Sequence, residues 1–422
     1  MSPTLEPDVS RRVGTVIAVA AAVAAPVSVI TAKAIAPLLI IAAVIGLLLA
    51  RRRLLSWGGV GWSIALCLAL GISWGAVSAL ISPIAAHWWT TAYKVAGLAF
   101  CGLALVAAAG GLTADDRARV GKALVAGVVL AVVLLAIEYL GGSLLNIAAR
   151  PDQWGGFGTL APHARLSLLK SGAAVTAILI WPAAAFLWRR SGPVAALLLL
   201  GVGGIVLAFA AGLAGKLAWV AGALVLSVGL LRFRAAVIGF AALIGLLLLA
   251  APVIPNGYLV PALKSGQITF LPYSVFHRIF IWGYTAERIA ERPVAGWGLN
   301  AAKQFGASMP PVRMEVELEG RKDWINISEP IPLHPHNAVL QIWLELGFPG
   351  VLLAALVLAA VLLAIARLPG ASGERAFALA TLAAALLVAS FSFGIWQNWW
   401  MAVLWLVGAL TAMSAPKPDG RL

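Results

Sequence analysis

Residues 338–367 read AVLQIWLELGFPGVLLAALVLAAVLLAIAR. From Val351 to Ala366 every side chain is apolar. A helix on the surface of a soluble protein carries a polar stripe, and this stretch has none. About 20 apolar residues are what a helix needs to cross the hydrocarbon core of a bilayer. The stretch therefore reads as a membrane span. Working outward, the same reading applies to about twelve runs: 13–32, 34–50, 57–81, 88–110, 118–140, 166–188, 193–211, 214–231, 235–252, 338–366, 375–393 and 396–413. Long unbroken runs exclude a membrane β-barrel, whose strands are short and alternate.

Composition agrees. Hydrophobic residues make up 62% of the 422 and charged residues 11%, against roughly 25% charged in a soluble domain. Mean hydropathy is +0.98. The 17 Trp, 43 Gly and 23 Pro suit helices in lipid, which tolerate Gly and Pro and collect Trp at interfaces. The net charge of +14 does not mark a nucleic-acid binder, which would gather its basic residues on one solvated face. Cys67 and Cys101 lie in apolar runs and form neither a disulfide framework nor a metal-ligand spacing. The polar start, Met1 to Arg12, leads straight into an apolar run that more spans follow, unlike a cleaved signal peptide.

The basic residues report orientation instead. With the N-terminus in the cytoplasm, the inside holds Arg11–Arg12, Arg51–Arg53, Arg117, Arg119, Lys122, Arg189–Arg190, Arg232, Arg234, Arg367, Arg375, Lys417 and Arg421. The short outer loops and span mouths hold only Lys33, Arg150, Arg165, Lys170 and Lys216. This asymmetry places both termini inside. The fold class is an all-α polytopic membrane protein with one long structured outer loop. It divides into spans one to nine (1–252), the loop (253–337), and spans ten to twelve with a cytoplasmic tail (338–422).

The loop has a helical stretch, His277 to Glu291, stopped by Pro293. A loop this long with structure of its own is usually functional. All five histidines, His87, His163, His277, His334 and His336, fall on the outer side. His336 stands where the chain enters span ten, and a neutral imidazole there can take a proton from a hydroxyl near neutral pH. Arg278 can grip phosphate oxygens in a fork, and Lys216, at a span mouth, is a compact cation for the same purpose. One base and two cations at headgroup height suit a phosphate-bearing substrate beside a reactive hydroxyl. The blander readings are a helix cap for His336 and interface anchoring for Arg278 and Lys216. Arg288 and Arg292 share a helix face near Glu287 and Glu291, as an ordinary charged surface would. Gly296-Trp297-Gly298 lacks the third glycine and the context of a dinucleotide site, and Asn326-Ile327-Ser328 is a sequon of the kind that chance supplies.

The pattern Arg278…Trp282…Arg292-Pro293…Gly296-Trp297-Gly298, then His334-Pro335-His336-Asn337…Glu345…Gly347-Phe348-Pro349-Gly350, resembles the O-antigen ligase-like family. That family joins O-antigen ligases, O-antigen polymerases and O-linked oligosaccharyltransferases, and the likeness is strongest over Gly212 to Gly350. It implies a bacterial inner-membrane, metal- and cofactor-independent, inverting glycosyltransferase with its active site in the periplasm. The donor it implies is a glycan on undecaprenyl pyrophosphate, and the acceptor for a ligase is a lipid A-core hydroxyl. By position, His336 matches the family's essential histidine and Arg278 its loop arginine on the donor pyrophosphate. Lys216 falls where the family usually has an arginine; lysine keeps the charge and loses the fork. His334, Asn337, Arg288 and Arg292 are supporting candidates, and Arg165 and Lys170 candidates for a phosphate on a lipid acceptor. The resemblance leaves a polymerase or a protein O-oligosaccharyltransferase as alternatives. From another class, a transporter or flippase would place charges near the midplane, and here only Lys94 and Glu138, both near span ends, are available.

Overall fold

The computed structural model describes residues 5–50, 57–84, 87–149, 165–210, 212–265, 267–268, 273–308, 312–318, 321–327 and 330–413. Arg51–Arg53, Arg150, His163, Ser328, Lys417 and Arg421, read above, lie outside the described residues. Each of the twelve apolar runs is helical. In chain order the helices are α1 (Pro7–Thr31), α2 (Ile35–Ala50), α3 (Gly58–Leu80), α4 (Trp88–Gly111), α5 (Ala114–Leu140), α6 (Leu144–Ala148), α7 (Lys170–Ser191), α8 (Pro193–Phe209) and α9 (Leu213–Ala250). There follow α10 (Val260–Lys264), α11 (Tyr273–Glu291), α12 (Ala302–Ser308), α13 (Ala338–Ala366), α14 (Ser372–Phe391) and α15 (Asn398–Met413).

Among the described residues, eight helical stretches are long and apolar enough to cross a membrane, which makes this a multi-pass membrane protein. The count of eight reconciles with the twelve runs. The stretch 7–50 holds two runs joined by a single 3₁₀ turn, α9 holds two more, and α8 and α15 are shorter apolar helices. The expected inside loop between spans eight and nine is only a break in α9, where Arg232 leaves helical geometry at φ −144°, ψ 73°.

The burial pattern is that of a protein in lipid. Leu48, Leu80, Leu140 and Leu231 point outward, each more than 70% exposed. A soluble protein rarely shows large contiguous apolar surface. The core is helix on helix. α7 sits centrally, in contact with α1, α5, α8, α9, α14 and α15, and its Trp181 is fully buried. At one end of the bundle Asp116, in the first turn of α5, accepts hydrogen bonds from Ser10 of α1, from Thr113 and from Arg119. Toward the other end Glu138 is buried and accepts the backbone N–H groups of Leu145 and Asn146 and the Asn146 side chain. Glu138 thus ties α6 to α5, a structural task unlike that of a transport site.

The long loop is not all helix. Val312–Leu318 (β1) and Arg321–Ile327 (β2) pair antiparallel, with Val312 opposite Ile327 and Leu318 opposite Arg321. Val312 to Leu318 alternates apolar and polar residues strictly, a strand signal that the all-helical expectation passes over.

Two glycines lock the loop onto α13. Gly347 interrupts α13 at φ +60°, and Gly296 lies at φ +68°. A Cβ on Gly347 would come within 2.1 Å of the Val294 carbonyl oxygen, and one on Gly296 within 2.5 Å of that of Glu345. Side chains are excluded here by sterics and by left-handed backbone together. Pro349 has no N–H to offer the Glu345 carbonyl, which instead accepts the Gly298 N–H at 2.9 Å. Trp297 N–H donates to the Leu344 carbonyl at 2.8 Å, and Phe348 N–H to that of Pro293 at 2.9 Å. Gly296→Ala is expected to lower stability by at least about 2 kcal/mol, read as a lower thermal midpoint in detergent. An unchanged midpoint would contradict this packing.

Candidate active site

The site is built where three chain segments meet: the approach to α13, the helix α11, and the turn between α14 and α15. Asn337 caps α13, its side-chain oxygen accepting the N–H groups of Val339 and Leu340 at 3.0 and 3.1 Å. The capping role is therefore taken by Asn337, and His336 is free of it. His336 sits at φ +55°, a left-handed conformation uncommon for a non-glycine residue and often found at functional sites.

Three contacts hold that conformation. The His336 backbone N–H donates to His334 Nδ1 at 3.1 Å, and the two rings stand edge to face with centroids 4.3 Å apart. Trp282 of α11 donates its indole N–H to the Pro335 carbonyl at 3.0 Å. His336 Nδ1 lies 2.6 Å from the Ser392 carbonyl just beyond α14. A carbonyl only accepts, so Nδ1 carries the proton and donates. The neutral ring then has its lone pair on Nε2. This is the tautomer that a general base needs.

His334 obeys the same accounting. Its Nδ1 accepts from His336, so its proton is on Nε2, which meets the side-chain amide of Gln397 at 3.2 Å. Among the described residues the Gln397 Oε1 otherwise has no partner. The network closes when the amide is turned so that Oε1 accepts from His334 Nε2–H, since the two ends of an amide are assigned from such bonds. Gln397 lies in the turn that also supplies Ser392, so one turn positions both imidazoles.

Among the described residues the charges acting here are all positive. Burial is the main force holding His336 below the usual histidine value. Arg278, His277 and Lys170 push the same way, and the bond to Ser392 opposes them. His334 is held down to about 3 by burial, then by His336, Arg278 and Lys303. Both rings are therefore neutral bases at pH 7. An unfolded chain binds a proton at each near 6.5 and the folded chain does not. Stability is therefore full above pH 6.5 and falls as the pH drops toward the folded value, about 3 for His334. A midpoint measured between pH 7 and pH 4 should fall steadily; a flat profile would contradict the neutral pair.

Arg278 stands one helical turn before Trp282 on α11, so both face the histidine loop. Burial lowers its own pKa, and a guanidinium carries its charge at physiological pH. Lys170 opens α7 and joins the field on His336. Lys216 is in the first turn of α9, beside the start of α7: a Cβ on Gly212 would lie 3.2 Å from the Lys170 side chain, and one on Gly215 3.4 Å from the Ala173 backbone. Lys216 forms no hydrogen bond or ion pair with the histidine pair among the described residues. Arg165 precedes α7, its carbonyl accepting from Ser143 at 2.9 Å.

The remaining candidates lie apart. Arg288 is ten residues beyond Arg278, about 15 Å along the helix. It pairs with Glu291 at 2.7 Å and covers the Tyr284 ring at 5.1 Å. Arg292 lies over the Trp297 ring at 4.7 Å and donates to the Ile81 carbonyl at 3.3 Å. Both guanidinium groups brace the loop. Among the described residues no group of three or more His, Cys, Asp or Glu is arranged to hold a metal ion.

Sequence reasoning assigned no role to Glu345. It is fully buried and accepts from Asn300 N–H (2.7 Å), Ala302 N–H (3.4 Å), Gln341 Nε2 (3.0 Å) and Trp396 Nε1 (2.6 Å). Gln341 in turn accepts the Ile395 N–H at 3.0 Å. Its place in the quoted motif and a carboxylate in the first part of an otherwise apolar span are the signals that mark this hub in the sequence.

Residues 195–355, from α8 into α13, match the family model described as O-antigen ligase. The chain is 28% identical over 307 residues to the "Putative polysaccharide ligase" of Rickettsia conorii, covering 72% of this chain and 69% of the relative. The similarly named protein of Rickettsia bellii is 28% identical over 305 residues, with the same shares. That of Rickettsia prowazekii is 26% identical over 308 residues, covering 72% and 70%. The resemblance drawn from the motifs is borne out by these matches.

Proposed function

We propose that this chain is a lipid-linked glycosyltransferase of the O-antigen ligase type, with His336 as its general base. The O-antigen ligase match and the Rickettsia relatives support a glycan-transferring ligase role at the coarse level. The finer reading adds a donor glycan on undecaprenyl pyrophosphate, a lipid A-core hydroxyl as acceptor, and an active site on the periplasmic face of the inner membrane. One observation carries it: the proton of His336 is fixed on Nδ1 by the Ser392 carbonyl, which leaves Nε2 as a neutral base beneath the field of Arg278 and Lys170.

The chemistry follows from that arrangement. The acceptor oxygen attacks the anomeric carbon and forms the new glycosidic bond. The bond from that carbon to the pyrophosphate oxygen breaks, and the electron pair leaves on undecaprenyl pyrophosphate. The hydroxyl proton passes to His336 Nε2. Direct displacement inverts the anomeric centre. Negative charge grows on the leaving group, where Arg278 and Lys170 stabilise it, with Lys216 as a further cation; such fixed charge is usually the largest catalytic contribution. Lysine at 216 supplies charge without bidentate geometry. This reading takes the leaving group ready-activated, so the chain needs no metal or nucleotide of its own.

Complementation tests the acceptor. In a strain lacking its own O-antigen ligase, this chain is expected to restore O-antigen-capped lipopolysaccharide on a gel. Failure with verified expression would remove the lipid A-core assignment. Chain lengthening in a polymerase-deficient strain would then favour the polymerase reading. Arg278→Gln tests the electrostatics. It removes a positive charge that holds His336 down, so the acidic limb of the pH–rate profile should move up toward 6.5. The rate should fall on the order of 10²-fold, comparable to losing one preorganised donor. A limb that stays in place would separate Arg278 from His336.

A further inference from the structure

At the end of the bundle opposite the histidines, α9 breaks at Arg232, and a cavity of about 510 Å³ opens there. Its lining is Arg232, Phe233, Arg234, Ala235 and Arg375. Three of the five are permanently cationic. Among the described residues no carboxylate makes an ion pair with any of them. The neighbouring acid, Glu374, lines a separate small cavity with Pro182 and Leu368 and feels Arg189 instead. Arg375 is partly anchored, its guanidinium 4.8 Å from the Phe233 ring centre and 3.3 Å from the Ala366 carbonyl, yet its buried Nε has no partner. Like charges gathered around one space repel unless an anion joins them.

We infer that the Arg232–Arg234–Arg375 cavity binds a phosphate group, and that the phosphate is the headgroup of an anionic lipid in the leaflet opposite the histidine site. Two observations favour lipid over a soluble phosphate. Leu231 and Ile238, flanking the break, are 84% and 70% exposed, so acyl chains lie against the same segment that holds the arginines. Arg232 is also 16 residues beyond Lys216 on α9, about 24 Å, close to the roughly 30 Å hydrocarbon thickness that separates two headgroup layers. The broken helix presents Arg232 and Arg234 on one side, and α14 brings Arg375 from the other. The inference does not depend on the glycosyltransferase reading, and none of the three arginines belongs to the histidine site.

The test uses the purified full-length chain in a neutral detergent, with its thermal midpoint read against added phosphatidylglycerol, phosphatidylcholine or inorganic phosphate. Phosphatidylglycerol is expected to raise the midpoint and phosphatidylcholine to leave it. The double variant Arg232→Gln/Arg234→Gln, at two exposed positions, should weaken the lipid response by about tenfold or more in concentration. The Arg11→Gln/Arg12→Gln double variant removes equal charge elsewhere at that end of the bundle and should respond as wild type does. Equal weakening in both variants would mean diffuse surface attraction and overturn the site. A wild-type response from the Arg232/Arg234 variant would overturn it too. A midpoint raised as much by inorganic phosphate as by lipid would overturn the headgroup assignment.

Discussion

His336→Ala is expected to reduce glycan transfer by about 10²–10⁴-fold, the worth of general base catalysis, while the protein still folds. The expectation rests on the division of labour at the entrance to α13. Asn337 carries the cap, so removing the imidazole leaves both capped N–H groups satisfied. The bond lost from the fold is the one from Nδ1 to the Ser392 carbonyl. Rate and midpoint should therefore separate: a large loss in kcat, a small change in stability, and little change in donor KM. His336→Gln sharpens the test. It retains a side-chain donor for Ser392 but cannot accept a proton, so it should be as inactive as the alanine variant. If the glutamine variant works, His336 orients the acceptor and does not take its proton. His334→Gln and Gln397→Leu should act differently. Each disturbs the left-handed backbone at 336 and should lower kcat partially, with a shifted acidic limb.

The second large effect is structural. Glu345→Leu removes the one acceptor shared by Asn300, Ala302, Gln341 and Trp396, deep among apolar side chains. Each buried donor left unsatisfied costs about 1–3 kcal/mol, so the variant should lose on the order of 3–5 kcal/mol or more. Glu345→Gln keeps the shape but turns one accepting oxygen into a donor that faces other donors, a loss of about 1–3 kcal/mol. Thermal midpoints of wild type, glutamine and leucine variants should fall in that order. A leucine variant as stable as wild type would show that Glu345 does not hold the loop to the bundle.

The twelve apolar runs were legible because a span is a local property: twenty neighbouring side chains decide it. The grouping of His336 with Arg278 was legible from their chemistry and from motif resemblance, and their shared location follows from Trp282 meeting Pro335, 53 positions apart. The third wall of the site was not legible. Ser392 contributes a backbone carbonyl, which any residue could supply, and it lies 56 positions from His336. Gln397 falls inside the last apolar run, 396–413, where a single amide gives no sign of a partner. Gly296 and Gly347 were visible as glycines, but their meaning, two backbones in contact, exists only once α13 and the loop are together. Lys170 reads in the sequence as a lipid-acceptor candidate from its charge and its place at the outer start of span six; the fold brings it into the field on His336. Arg288 and Arg292 satisfied their surface reading, each engaged with an aromatic ring.

The central claim is that an outward-facing His336 drives transfer of a glycan from a pyrophosphate-linked lipid. Purified protein in liposomes, given a labelled undecaprenyl-pyrophosphate glycan and lipid A-core, tests it most directly. The account predicts one undecaprenyl pyrophosphate released for each glycan moved to lipid A-core by wild type, and neither product from an equally well-folded His336→Ala. Transfer by His336→Ala at the wild-type rate would contradict it.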